Sequence, residues 1–183
     1  DILKNLADST ELGNGLDAGV GYGPCLNQSV IDRVERHKND ALKKGGELLS
    51  GGFSPGAYEF KRGYFYRPTV INNAPLDSLP MTEESYGPIA AVAAYDSESD
   101  MLTMANSLEY GLAAYIYGGD LERIWALADR LEFGAVGVNV NDTSDLQAPF
   151  GGWKMSGVGR ELGPEGLEAF LETKHLKMRV RRI

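Results

Sequence analysis

The chain has 183 residues, 43% of them hydrophobic, enough for a well-buried core of about single-domain size. Its formal charge of -8 makes it a poor partner for nucleic acid or an anionic membrane surface, and no apolar run approaches the length of a membrane span. The lone cysteine, Cys25, allows no internal disulfide and fits a reducing, cytoplasmic setting, while 23 glycines, nearly twice the usual share, imply many tight turns.

In chain order, Asp1-Ile2-Leu3-Lys4 reads as the middle of a helix, without an initiator Met or a basic-then-apolar leader, so the chain is expected to be a fragment. Leu3 and Leu6 mark a short helix. Gly13–Pro24 has glycine at alternate positions, like a phosphate cradle. However, no strand precedes it, and Gly13-x-Gly15-x-x-x-Gly19 misses the dinucleotide fingerprint, so an extended connector is expected. Asn27 or Ser29 caps a helix running to Lys44, with Val30, Ile31, Val34, Ala41 and Leu42 on one face and His37 near its edge. Glu47–Ser50 is a short strand and Gly51–Gly63 a polar loop. Tyr64–Ile71 is an aromatic and β-branched strand that Pro68 restricts to an edge or an irregular course.

From Ile89 onward the pattern is strand, helix, strand, helix, strand. Ile89–Tyr95 reads as a buried strand. Ser97 or Ser99 caps a helix over Asp100–Leu108, with Met101, Met104, Ala105 and Leu108 inward. Leu112–Tyr117 is a strand, Leu121–Leu131 a helix with Ile124, Leu127, Ala128 and Leu131 inward, and Ala135–Val140 a third strand. Short links between alternating elements predict an α/β fold of parallel crossovers, with no internal domain boundary. Ligands in such sheets sit beyond the carboxyl ends of strands, where the loops after Tyr117 and Val140 fall.

The stretch Pro149–Glu161 carries glycines at 151, 152, 157 and 159 and is expected to be a long, mobile-backbone loop. Phe150 opens it with a ring suited to wall a pocket; a glycine-rich crossover with no ligand is the plain alternative. Glu165–Leu171 is a short helix behind Pro164. The tail Lys174–Ile183 alternates charged and apolar residues, as a solvated edge strand does, or one that pairs with a partner subunit.

Several chemistries find no support. Ser156 lacks the first glycine of a Gly-x-Ser-x-Gly elbow. The two histidines lie far apart and there is one cysteine, so metal-ligand spacing is absent. Cys25 has no neighbouring base or cation in sequence to lower its pKa and reads as structural. The pair Glu83-Glu84, followed by Ser85-Tyr86-Gly87-Pro88, is more suggestive. A carboxylate there suits the vicinal hydroxyls of a nucleotide ribose, and Tyr86 suits packing on a planar ring. A surface acidic turn is the alternative.

Taken together these motifs resemble the C-terminal part of the aldehyde dehydrogenase superfamily, most of all its succinate-semialdehyde dehydrogenases. The resemblance covers essentially the whole chain. It runs through Thr10-Glu11, Gly23-Pro24, Gly45, Gly51-Gly52, Gly63–Val70, Glu83–Pro88, Ala105-Asn106, Tyr110–Leu112 and Asn139. It ends in Pro149-Phe150-Gly151-Gly152 and Lys154-x-Ser156-Gly157-x-Gly159-Arg160-Glu161. It implies a truncated, parallel-sheet Rossmann-like catalytic domain over residues 1–183, with a terminal oligomerisation strand near 174–183.

The implied activity is oxidation of an aldehyde to a carboxylate with NAD or NADP as cofactor, through a cysteine thiolate and a glutamate-activated water. An aldehyde that carries a carboxylate, such as succinate semialdehyde, is the favoured substrate, in a homo-oligomer joined by the terminal strand. By the same resemblance Glu84 matches the acid that binds the nicotinamide ribose, and Tyr86 stands where the family usually has Phe beside the nicotinamide. Phe150 matches an aromatic of the substrate tunnel, and Ser144 falls where the semialdehyde enzymes place a serine on the substrate's remote carboxylate. The acidic turn and the glycine-rich loop are then expected to line one cleft.

The sequence also departs from the family. Residue 85 is Ser where the family usually has Ile, and Cys25 does not stand at the nucleophile's position. The nucleophile, general base, oxyanion-hole asparagine and dinucleotide-binding domain are expected upstream of Asp1, so no catalytic residue is assigned here and the chain alone is expected to be inactive. The rival reading is a non-catalytic domain acting in subunit association.

Overall fold

A computed structural model of the chain describes residues 1–180. Backbone contacts divide it into two compact units, Asp1–Tyr95 and the residues from Asp96 on.

The first unit opens with α1 (Ile2–Ser9), which buries Ala7 and leaves Leu3 and Leu6 exposed. The glycine-rich stretch after it closes on itself instead of extending. Leu12 bridges Tyr22, the Gly13 N–H donates to the Tyr22 carbonyl at 3.2 Å, and the Gly21 N–H donates to the Glu11 carbonyl at 2.9 Å. Helix α2 (Gln28–Lys43) starts at Asn27, whose side chain accepts from the Val30 N–H, and ends with a favourable cation, Lys43, in its last turn. Val30, Ile31, Val34 and Ala41 form its buried stripe, and His37, expected near the edge, lies fully buried within it. Each fully buried aliphatic side chain there contributes about 1.5–3 kcal/mol.

Strands β1 (Glu47–Ser50) and β2 (Thr69–Asn72) run antiparallel, and a single turn, α3 (Leu79–Thr82), precedes β3 (Ile89–Ala91), which joins β2 in parallel. The order is β1-β2-β3, so β2 is central. Of the edge or irregular course expected for Tyr64–Ile71, the irregular one forms: regular strand begins only after Pro68, with the Thr69 N–H donating to the Pro88 carbonyl at 2.8 Å. Ala41 of α2 packs on Ile71 of β2 and on Ala74. Strand β3 is shorter and less covered than its apolar run suggests, with Val92 and Tyr95 exposed.

The second unit begins with α4 (Glu98–Asn106), capped by the Ser97 side chain accepting from the Asp100 N–H. After β4 (Tyr110–Gly111) come β5 (Ala113–Ile116), α5 (Leu121–Arg130) and β6 (Ala135–Val138). Strands β5 and β6 are parallel, from Ala113 opposite Ala135 to Ile116 opposite Val138, with α5 as their crossover. Leu127 and Leu131 pack with Leu102 of α4, a residue absent from the expected inward set, above Ala114, Ile116 and Val136. Of the two crossovers expected after Ile89, the one through α5 forms within this unit, and β3 pairs with β2 within the first. Strand β7 (Trp153–Lys154) pairs antiparallel with β4, and α6 (Gly163–Glu168) follows. Lys174–Val180 is exposed and makes no strand pairing here; the rest of the expected terminal strand lies outside the described residues. No described helix is long and apolar enough to cross a membrane.

Candidate functional site

In the first unit, the acidic turn is fastened to α2 at alternate residues. Glu83 Oε2 accepts from Arg36 Nη2 at 2.9 Å and lies 3.3 Å from His37 Nε2. Ser85 Oγ lies 2.8 Å from His37 Nδ1, and the Ser85 carbonyl accepts from Arg33 Nη1 at 3.2 Å. Hydrogen bonding from Arg36 holds the Glu83 carboxyl below the usual carboxylate range, while burial pushes His37 down and keeps its ring neutral. Nε2 also lies 3.4 Å from Arg36 Nη2, so Arg36 and Glu83 meet the same ring nitrogen while Ser85 meets the other.

The intervening residues point elsewhere. Glu84 is exposed and has no hydrogen bond or ion pair among the described residues, and Tyr86 is 74% exposed. Tyr86 also sits at φ 47, a left-handed backbone that non-glycine residues adopt at a cost of about 1–3 kcal/mol. Gly87 explains how the turn lies so close to the helix: a Cβ there would fall 2.3 Å from Val34 Cγ2. Beside Tyr86 is a hollow of about 450 Å³, lined among others by Tyr22, Cys25, Asn27 and Arg33. Cys25 is buried, and burial pushes its thiol up, the opposite of an activated nucleophile.

In the second unit, Asn139 follows β6 at φ 54 and stitches together the loops at the carboxyl ends of β5 and β6. Its Oδ1 accepts from the Gly118 N–H and its Nδ2 donates to the Gly118 carbonyl, both at 2.9 Å. The Tyr117 hydroxyl donates to the Val140 carbonyl at 2.7 Å. Ser144 is exposed in the same region, and its N–H donates to Asp142 Oδ1 at 2.9 Å. That N–H, and next the Ser144 hydroxyl, hold the Asp142 carboxyl below its ordinary range.

The glycine-rich loop is pinned instead of mobile. Phe150 and Glu161 exchange backbone hydrogen bonds of 2.8 Å at its base. Lys154 Nζ donates to the Asn106 and Leu108 carbonyls at the end of α4, at 2.7 and 3.1 Å, and pairs with Glu132. Ser156 Oγ accepts from the Gly111 N–H at 2.9 Å, and Arg160 Nη1 donates to the Gly152 carbonyl at 3.1 Å. Phe150 is half-buried and does not line the neighbouring hollow of about 600 Å³, whose walls include Leu146, Arg160, Leu167 and Phe170.

Glu84 and Tyr86 thus belong to the first unit, Ser144 and Phe150 to the second. What sequence reasoning missed is His37 as an anchor. Its spacing carried the signal, since residues 30, 34, 37 and 41 trace one helical face.

Residues 1–176 match the aldehyde dehydrogenase family. The chain is 41% identical to a succinate semialdehyde dehydrogenase of Acinetobacter baylyi, over 95% of this chain and 35% of the relative. It is also 41% identical to a glutarate-semialdehyde dehydrogenase of Pseudomonas aeruginosa, over 96% of this chain and 36% of the relative. A betaine aldehyde dehydrogenase from Staphylococcus aureus, crystallised with NAD+, superposes with a TM-score of 0.90 at 35% identity, over 96% of this chain and 35% of its own. The chain spans about a third of the length of the curated relatives it matches. The acidic turn and the pinned glycine-rich loop both fall within the matched residues, and the chain belongs to the aldehyde dehydrogenase family.

Proposed function

We propose that these residues serve an NAD- or NADP-dependent oxidation of an aldehyde that carries a carboxylate, of the succinate- or glutarate-semialdehyde class. In this reading Glu84 holds the cofactor's ribose, Tyr86 flanks its planar ring, and Ser144 and Phe150 face the substrate. The observation that carries it is the uncommitted Glu84 carboxylate between two anchored neighbours, Glu83 and Ser85. A carboxylate with free lone pairs, held out by a fastened backbone, fits the paired hydroxyls of a ribose, and the exposed Tyr86 ring fits a flat heterocycle. The bound cofactor supplies the hydride acceptor. The Ser144 hydroxyl, which serves the Asp142 carboxylate here, turns from it to reach a substrate; Asp142 and Asp145 flank it, so a substrate carboxylate draws its counter-charge from outside this loop. In this reading Cys25 is not the thiolate, since it is buried and burial pushes its thiol up.

The test is Glu84→Gln in the complete gene product, with the 183-residue chain alone assayed beside it. Glutamine keeps the shape but replaces one of the two acceptor oxygens by an NH2 donor, so calorimetry is expected to show NAD+ or NADP+ binding weakened by roughly tenfold to a hundredfold. Unchanged affinity together with unchanged turnover removes Glu84 from the cofactor site.

A further inference from the structure

We infer that His37 is a positioning residue for Glu84, acting through the Ser85 hydroxyl to fix the backbone that aims the carboxylate. This rests on the reading of Glu84 as the ribose acceptor. Arg33, Arg36 and His37 occupy positions i, i+3 and i+4 of α2 and therefore share the face that meets the turn. Arg36 holds the residue before Glu84 through the Glu83 carboxylate, and His37 holds the residue after it through Ser85 Oγ at 2.8 Å. The backbone at Glu83 is extended, with φ -120 and ψ 150, so successive side chains alternate in direction. Anchoring 83 and 85 to the helix thus directs 84 away from it.

The two anchors differ in stiffness. Arg36 is half-exposed on a long, flexible stem, whereas His37 has no solvent exposure and cannot swing without disturbing the helix's buried face. Once the His37–Ser85 bond is lost, residue 85 keeps, among the described residues, only the 3.2 Å bond from Arg33 to its carbonyl. Glu84 would then sample more directions, and the ribose would have to select among them, which lowers affinity by the competent fraction.

The experiment measures NAD+ and NADP+ dissociation constants by calorimetry on the complete gene product and on Ser85→Ala, Glu84→Gln and the double variant. Ser85→Ala removes the hydroxyl proton with minimal change of volume, and a melting curve checks that it folds. Weakening of roughly threefold to tenfold is expected from loss of one neutral hydrogen bond. In the Glu84→Gln background the same change is expected to do nothing further, because its effect passes through the carboxylate. Ser85→Ala binding within twofold of wild type (roughly 0.4 kcal/mol), or an undiminished effect in the double variant, overturns the positioning role while leaving the Glu84 assignment standing. Normal binding by Glu84→Gln defeats the assignment itself, and the positioning role with it.

Discussion

Replacing Gly134 by alanine tests how closely the glycine-rich loop is keyed to the strand beneath it. The new Cβ would fall 1.7 Å from the Gly151 carbonyl oxygen, half of an ordinary 3.4 Å contact. No side chain can rotate to relieve a clash with backbone. The strand side is held as well, since the Gly134 N–H donates to the Gly111 carbonyl at 3.0 Å and the Ala135 N–H to the Leu112 carbonyl at 3.1 Å. The loop must therefore lift at Phe150–Gly152 and lose the two Phe150–Glu161 backbone bonds. Overpacking costs about 1–3 kcal/mol, and each lost bond about 0.5–1.5 kcal/mol. A total of about 2–6 kcal/mol corresponds to a fall in Tm of about 4–24 °C for a chain of this size. Thermal unfolding followed by circular dichroism reads this, with limited proteolysis at the loop as the local probe. Gly15→Ala is the control, because its added Cβ meets nothing within 4 Å, and a change within about 0.5 kcal/mol is expected. If Gly134→Ala melts with the control and its loop resists protease like wild type, close backbone approach does not hold the loop.

Ser144→Ala in the complete gene product is expected to raise KM for succinate semialdehyde by roughly fivefold, from loss of one hydrogen bond, and to leave KM for a plain aliphatic aldehyde unchanged. Equal effects on both substrates would show that the serine does not touch the substrate carboxylate. His37 faces Glu83, Arg36 and Ser85, with Arg33 nearby, and its folded pKa lies below the ordinary 6.5. As pH falls through 6.5 the unfolded chain takes up a proton that the folded ring refuses, so stability is present above that pH and declines below it. Glu83 adds loss in the same direction at lower pH, below its ordinary 4.5 and towards its depressed folded value. Denaturant midpoints at a series of pH values should show the decline between neutrality and mild acid, and His37→Gln should flatten it; an equal slope in both proteins refutes the buried neutral ring. Removing residues 174–183 from the complete gene product is expected to lower its oligomer order in sedimentation, with an unchanged profile excluding the tail from the subunit contact.

Much of the secondary structure was legible. Asn27 and Ser97 accept from backbone N–H groups at the starts of α2 and α4, and Ile124, Leu127 and Leu131 are buried as their spacing requires. The functional segments were legible as motifs, but their mechanics were not. The glycines suggested a mobile loop, yet Lys154, Ser156 and Arg160 supply the bonds that hold it. The adjacent acids looked equivalent, yet Glu83 is spent on Arg36 and His37 while Glu84 is left uncommitted.

The sequence by itself determined where α2 and α5 run, which faces those two helices bury and which family the motifs evoke, because capping and periodicity act over a turn or two of chain. Only the tertiary structure decided that β3 joins β2 in parallel, and that a buried histidine on α2 grips a serine 48 residues away. Strand pairing and such cross-links are contests between distant groups, settled by which donors and acceptors arrive together once the chain has closed around its core.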